Sequence, residues 1–466
     1  MTLKKINYIL PFLLLVWMSV YLSSCKKDIL FSSENLSFSV DTVLFDTVFT
    51  TVGSTTQQLK IYNKANQPVQ VDHVTLVGGD NSPYRINLDG VSGTSFSDFT
   101  IPAKDSLFMF VEVTLGENNL TDPLIIEDIL EFETNGTIQT VQLAAWGQDA
   151  YFHYKDLSSG IWPNDKPHVI YDYTLVDSSE TLTIQAGTEI YMHKEAILFV
   201  NKGRLNIEGT FDNKVVIQGD RLEAFYDDIK GQYYGIYLNQ ALSSNIDHAI
   251  IKNGTAGVHV FGDNPNNSDY TVTIRSSEIS NHASYGIFNY SGGRVKGENL
   301  NVHNNGLYAY FLLEGGSHNF NHSQFLSYGA DGSQPAVAIK NYFTREDNIT
   351  YIGDVNEGAF YNSIIYGGGD TQIAYDTLTN NGAVSIAMDY NNNFIRQADI
   401  PTNANFNNNT WNTYPSFESL EEKSYIITNG SQCKNAGNLQ FPLTIMEDIT
   451  GKMRDANPDI GAYELD

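Results

Sequence analysis

The stretch "NVHNNGLYAYFLL" at residues 301–313 sets the reading of this chain, because it recurs in altered form on either side. Val302 lies 23 residues after Ile279 in "EISNHASYGIFNY" (278–290), and Phe325 in "QFLSYGADGSQ" (324–334) lies 23 residues after Val302. Ile250 in "AIIKNGTAGVHV" (249–260) lies 29 residues before Ile279, an excess that the insertion "GDNPNNSD" (262–269) explains. Seven residues after Ile250, Ile279 and Val302 stand Gly257, Gly286 and Ala309, each followed by another strand-like run. A fixed period of this length marks a solenoid. One unit buries roughly four or five apolar side chains at about 1.5–3 kcal/mol each. Ordering its residues costs at least about 1 kcal/mol apiece in backbone entropy. Only stacking on neighbouring units offsets that cost. Amphipathic helical periodicity is missing throughout, which disfavours βαβ architectures.

Working outward, the texture changes near residue 150. From about 35 to 149 short alternating strands are separated by turn residues, as in "TQQLKIYNKANQPVQVDHVTL", "DSLFMFVEVTL" and "IQTVQLAAWG". Several strands at this spacing, with Gly, Asn and Pro between them, predict an all-β sandwich. The order of features resembles the Ig-like modules of the abnormal-spindle and hydin family: Val52-Gly53, then Leu59, Ile61 and Asn63, then Pro102 and Asp105, then Phe132, Thr134, Asn135 and Gly136. That resemblance implies a spacer or a binding platform.

Residues 150–466 resemble the right-handed parallel β-helix family, with "GTEIYM", "GRLNIEGT" (203–210) and "NKVVIQGD" (213–220) as its first coils. The ending "EDITGKMRDANPDIGAYELD" resembles the terminal motif of bacterial surface β-helix proteins, matching at Asp448, Gly451, Arg454, Asp459, Ile460, Gly461, Ala462, Tyr463 and Glu464. Such an end is expected to cap the open edge of the last coil, which would otherwise template aggregation. Arg454 is expected to pair with Asp459 or Glu464, the alternative being a solvated charge. The predicted fold class is therefore all-β, an Ig-like β-sandwich followed by a right-handed parallel β-helix.

The first residues carry an address. Lys4 and Lys5 precede an apolar run from Ile6 to Leu22, then Ser23, Ser24 and Cys25. That is the layout of a secretory signal, and the run is short for a bilayer span. Leu22-Ser23-Ser24-Cys25 resembles the lipobox of bacterial lipoproteins, which implies a signal peptide at 1–24, an acylated Cys25 and a tether at 25–34. Acyl chains contribute about 0.8 kcal/mol per buried methylene, so the membrane lipid becomes a partner through Cys25. Lys26 in place of the aspartate of inner-membrane retention points to the outer membrane. Lys26-Lys27-Asp28 partly resembles the surface-export tether of Bacteroidota, which implies exposure at the cell surface. Asp41-Thr42-Val43 and Asp46-Thr47-Val48 resemble a short O-glycosylation sequon of the same group.

Composition excludes several partners. Removal of two signal lysines and no acidic residue takes the formal charge from −27 to −29. Such a surface repels phosphate backbones, so nucleic acid is not expected. Cys433 has no second thiol once Cys25 is lipidated, so neither a disulfide framework nor a thiolate metal cluster is expected.

No HExxH, GxSxG, P-loop or Rossmann signature occurs. The β-helix resemblance still implies polysaccharide lyases or glycoside hydrolases as one option, and hydrolases need paired carboxylates. With Ile250, Ile279, Val302 and Phe325 inward, Asp247 and Glu278 are the acidic residues of the outward columns. Asp227 and Asp228 form a second candidate pair, the alternative being a solvated loop. Asp263 and Asp269, among asparagines in the 262–269 insertion, are the oxygen ligands calcium prefers but lack EF-hand spacing. With Val258, Ile287 and Tyr310 inward, His259, Phe288 and Phe311 line up outward, with Tyr285 and Tyr308 at the same edge. Exposed aromatic columns invite a partner, and flat rings suit sugar faces. The expected function is binding or adhesion at the envelope, to a glycan; the alternatives are a carboxylate-based polysaccharide lyase or glycoside hydrolase and a structural spacer.

Overall fold

Along Ser106–Val113 the side chains of Met109, Val111 and Val113 are buried while Phe108, Phe110 and Glu112 are exposed, the period of two that a half-buried strand imposes. That pattern governs the whole chain, which is all-β with extensive parallel sheets. The structure, a computed structural model, describes residues 30–50, 53–116, 124–329, 334–402, 404–441 and 443–465. Val52, Cys25 and the residues around it lie outside the described residues. The chain divides between Gln148 and Asp149 into two compact units.

The first unit contains two five-stranded sheets. Leu59, Ile61, Met109 and Val111 from one sheet share a core with Phe45, Val71, Phe132 and Leu143 from the other. Its pairings are antiparallel except that Thr137–Gln148 runs parallel to Thr42–Phe49. Buried Asn63 fixes one turn: its amide donates to the carbonyls of Gln67, Ile101 and Pro102, and its Oδ1 accepts from the Ala65 N–H.

In the second unit successive passes of the chain lay strands onto an 18-stranded and a 10-stranded parallel sheet. One pass, here called a rung, comprises Val272–Arg275, Glu278–Ser280 and Tyr285–Tyr290; the next comprises Arg294–Glu298, Asn301–His303 and Tyr308–Leu313. Ile279, Val302, Phe325 and Ile365 pair in register and are fully buried. The residue that joins them from the preceding rung is Ile251, not Ile250. Ile250 pairs with Glu278 and is half-buried, so the expected frame is one residue off there. Both residues are apolar, and the insertion left the spacing free to take either.

Polar turns stack as regularly as the core. Asn253, Asn281 and Asn304 all have positive φ (74°, 60° and 55°), a conformation asparagine tolerates better than most residues. Asn281 Nδ2 donates to Asn253 Oδ1 at 2.9 Å, and Asn304 Nδ2 to Asn281 Oδ1 at 2.8 Å.

The chain's last residues do not lie across the final rung. They run along the flank of earlier ones: the Asn299 amide donates to the Glu447 carbonyl, Tyr463 meets Asn301, Gly461 N–H donates to the Asn362 carbonyl, and the Asn392 amide donates to the Ala436 carbonyl. Ile364 and Phe394, which face away from the main core, gain a second core with Tyr425, Cys433 and Ile460. Apolar side chains on that outer face are the physical reason for the departure from the expected edge cap. Arg454 is the knot of this strap. Fully enclosed, its guanidinium reaches Glu464 Oε2 (3.2 Å), the carbonyls of Asp459 and Gly461, and Asn299 Oδ1.

Candidate functional site

The rung's third strand begins at a constriction. A Cβ on Gly257 would stand 2.5 Å from Ile279 Cγ2, and one on Gly286 would stand 2.4 Å from Val302 Cγ1. Glycine at these positions leaves room for the neighbouring side chains, and along the strand the side chains alternate. Val258, Ile287 and Tyr310 turn inward and are fully buried. His259, Phe288 and Phe311 pair in register on the outer side, as expected. The column is longer than the sequence suggested, because Phe199 and Tyr237 precede His259 in the same register.

Centroid separations along the five rings are 5.2 Å (Phe199–Tyr237), 4.4 Å (Tyr237–His259), 4.6 Å (His259–Phe288) and 5.3 Å (Phe288–Phe311), all stacked. These distances follow the strand spacing of the sheet. Rings piled in this way cover one another's faces and present edges outward, so the interior rings of the ladder are not free for sugar stacking. Tyr285 and Tyr308 flank the pile, 4.7 Å from Phe288 and 5.1 Å from Phe311 respectively. The Tyr234 hydroxyl and His259 Nδ1 share a hydrogen bond at 2.7 Å, and burial pulls the His259 pKa down to about 4. His259 is thus a neutral member of the stack.

Tyr290 carries the aromatic surface to its edge. It stacks on Phe288 at 5.5 Å and meets Phe343 edge-on at 6.4 Å. Burial raises its pKa, and Glu314 beside it raises it further. Glu314 belongs to the wall of a polar cavity of about 750 Å³, together with Asp263, Arg294, Tyr351, Asp354 and Glu357. Arg294 and Glu357 come from strands of the 10-stranded sheet, Asp263, Glu314 and Asp354 from turns beside sheet strands, and Tyr351 from the Tyr342–Thr344 and Thr350–Ile352 hairpin. The Arg345 guanidinium holds Glu314 by two contacts, 2.7 and 3.0 Å, and lies 3.9 Å from the Tyr351 ring centroid.

The other candidates separate. Asp247 stands in the 10-stranded sheet in register with Glu208 and Arg275, and pairs with Arg275 at 2.9 Å. Glu278 stands in the 18-stranded sheet, in register with Ile250 and Asn301. The two therefore do not share a pair of outward columns, a consequence of the shifted frame at Ile250. Glu278 Oε1 accepts from His303 Nε2 and Ser280 Oγ, both at 3.1 Å. Burial pushes the Glu278 carboxyl up, but His303, Ser280 and Lys214 together hold it below the usual carboxylate range. The rest of that column is closed: Asn301 and Gln324 are buried beneath Tyr463 and the Tyr425 carbonyl.

Asp227 and Asp228 are exposed just after a short 3-10 turn, with Asp228 held to Lys423 at 2.5 Å. In the 262–269 insertion Asp263 Oδ1 accepts from Asn267 and Thr271, and the Arg294 guanidinium lies 3.5 Å from Oδ2. Arg294 also donates to the Asp269 carbonyl. A guanidinium is the cation of this loop. Among the described residues no cluster of three or more His, Cys, Asp or Glu could hold a metal.

No protein-family model matches the chain. No curated protein matches it either. Among solved structures, the catalytic unit of a thermostable GH87 α-1,3-glucanase from Streptomyces thermodiastaticus is similar over 76% of this chain and 89% of that one, at 9% identity and a TM-score of 0.20. A family 123 glycoside hydrolase from Clostridium perfringens matches 26% of this chain at 9% identity and a TM-score of 0.19, and the chain spans 30% of its length. An ASH/PapD-like domain of human CEP192 matches 26% of this chain and 94% of its own, at 11% identity and a TM-score of 0.17. Likenesses this weak identify neither a family nor an activity.

Proposed function

We propose that this chain is an outer-membrane lipoprotein, anchored through acylated Cys25, whose Ig-like sandwich carries a right-handed parallel β-helix that binds glycan at the cell surface. The observation that carries the glycan reading is that Tyr290, at the edge of the aromatic surface, interacts with Glu314 of the polar cavity's wall. A sugar needs an apolar surface for its C–H face and convergent polar groups for its hydroxyls. Tyr351 in the wall and Tyr290 beside Glu314 supply the first; Asp354 and Glu357 supply the second. The stacked ladder behind them serves as a rigid backing, and its end rings, Phe199 and Phe311, lack an aromatic neighbour in register on one side.

Native affinity gels containing polysaccharide test the reading on the detergent-solubilised protein. Tyr290→Ala with Tyr351→Ala should abolish retardation without lowering the unfolding midpoint of the second unit appreciably. Retardation unchanged in that double variant overturns the cavity as the glycan site, and no retardation of the wild type across a broad panel leaves the spacer reading. Protease shaving of intact cells tests surface display: a protected chain would place it on the periplasmic side.

One observation favours a second reading, a polysaccharide lyase or glycoside hydrolase: four carboxylates share the cavity wall. Incubation with the same polysaccharides should then release reducing ends or unsaturated products, and Glu357→Gln or Asp354→Asn should stop the release.

A further inference from the structure

The hydrogen-bond ledger of the cavity says what kind of sugar it takes. Two of its four carboxylates are balanced by cations within reach, Asp263 by Arg294 and Glu314 by Arg345. The other two are not. Among the described residues Glu357 accepts from neutral donors, Asn319 Nδ2 and the Tyr270 hydroxyl, both at 2.7 Å. Asp354 accepts from the Ser385 backbone N–H at 2.7 Å, and among the described residues no cation pairs with it. Arg294 has its guanidinium committed to Asp263, the Asp269 carbonyl and the Tyr270 ring, 5.4 Å from its centroid. An ionised carboxylate accepts hydrogen bonds and cannot donate them. The unbalanced part of the wall therefore demands donors from whatever enters.

We infer that the cavity selects donor-rich sugars, neutral or bearing a free amino group, and rejects uronates and sulfated sugars. The inference rests on the glycan reading above and narrows it. A hydroxyl or ammonium group meets Asp354 and Glu357 as a donor, and an ammonium also restores charge balance. A uronate or sulfate group brings only acceptors and like charge to the same two residues, a repulsive element of the kind that sets specificity. Tyr290 and Tyr351 tolerate either class, so the discrimination falls on the carboxylates.

The detergent-solubilised protein is run in native gels containing chitosan, a neutral β-glucan or polygalacturonate. Chitosan and the β-glucan should retard it; polygalacturonate should not. Asp354→Asn with Glu357→Gln should weaken chitosan binding about tenfold, the equivalent of about 1.4 kcal/mol. Asp227→Asn with Asp228→Asn changes net charge by the same amount on an exposed turn and should leave chitosan binding intact. Equal loss in the two double variants, or retardation by polygalacturonate equal to that by the β-glucan, overturns the inference. If Tyr290→Ala with Tyr351→Ala still abolishes binding in that case, the glycan reading survives its loss. If those tyrosines are indifferent too, both fall.

Discussion

Asn304 donates its side-chain amide to Oδ1 of Asn281 one rung earlier, at 2.8 Å, and both residues hold a positive φ that few side chains accept. The bond and the backbone conformation are separable. Asn281→Gly keeps the conformation and loses the bonds to Asn253 and Asn304, and should cost about 1–3 kcal/mol by leaving buried partners unpaired. Asn281→Ala adds backbone strain and should cost more. Urea unfolding of both variants checks the order; equal costs would mean the ladder bonds matter and the φ does not.

Gly286 marks where the rungs touch. Gly286→Ala places a Cβ 2.4 Å from Val302 Cγ1 and 2.7 Å from the Ala309 carbonyl oxygen. Destabilisation of about 1–3 kcal/mol is expected from such overpacking. Ala309 occupies the same register in the next rung without difficulty, so Ala309→Gly should cost no more than about 1 kcal/mol. Thermal melts of the pair settle the comparison.

Burial holds two interior histidines neutral, with pKa values pulled down to about 3 for His282 and His318. His282 has its donor and acceptor used, by the Ile251 carbonyl and the Gly254 N–H. His318 packs among Tyr310, Phe320 and Phe360. Below pH 6.5 the unfolded chain takes up protons that the folded chain refuses, so stability falls as pH drops toward about 3. By pH 5 each histidine should contribute a loss of about 2 kcal/mol. His318→Leu should shrink the difference in unfolding free energy between pH 7.5 and pH 5. An unaltered difference would assign the pH dependence elsewhere.

Arg454 is enclosed with Glu464. Arg454→Met strands that carboxylate and the carbonyls of Asp459 and Gly461, at a cost of about 3–5 kcal/mol. The loss should appear first as protease cleavage within 431–465, before the main core unfolds. Simultaneous loss of both would mean the strap and the ladder unfold as one.

Much of this architecture is written locally. Ile279, Val302 and Phe325 keep a constant 23-residue interval because no insertion falls between them, and they reveal both the inward column and the outward His259–Phe288–Phe311 column. Where loop length varies, the frame is lost: Ile250 and Ile251 are both apolar, and only pairing with Ile279 chooses between them. Phe199 stands 38 positions before Tyr237, with the turn at Ala224–Tyr226 between them, so no constant interval records its place in the column. The cavity was illegible for a different reason. It gathers residues from Asp263 to Glu357, and no local periodicity records which turns meet in space. The path of the last residues along the flank was hidden likewise, since Asn299 and Glu447 meet across 148 positions.

The strap makes the chain's end a test of its wholeness. Strands laid down by Ile364 and Phe394 stay greasy on the outside until Tyr425, Cys433 and Ile460 arrive. A product cut before those residues would leave Ile364 and Phe394 without their second core, an oily seam open to proteases. Truncation is thereby converted into a visible surface defect rather than a silent shortening.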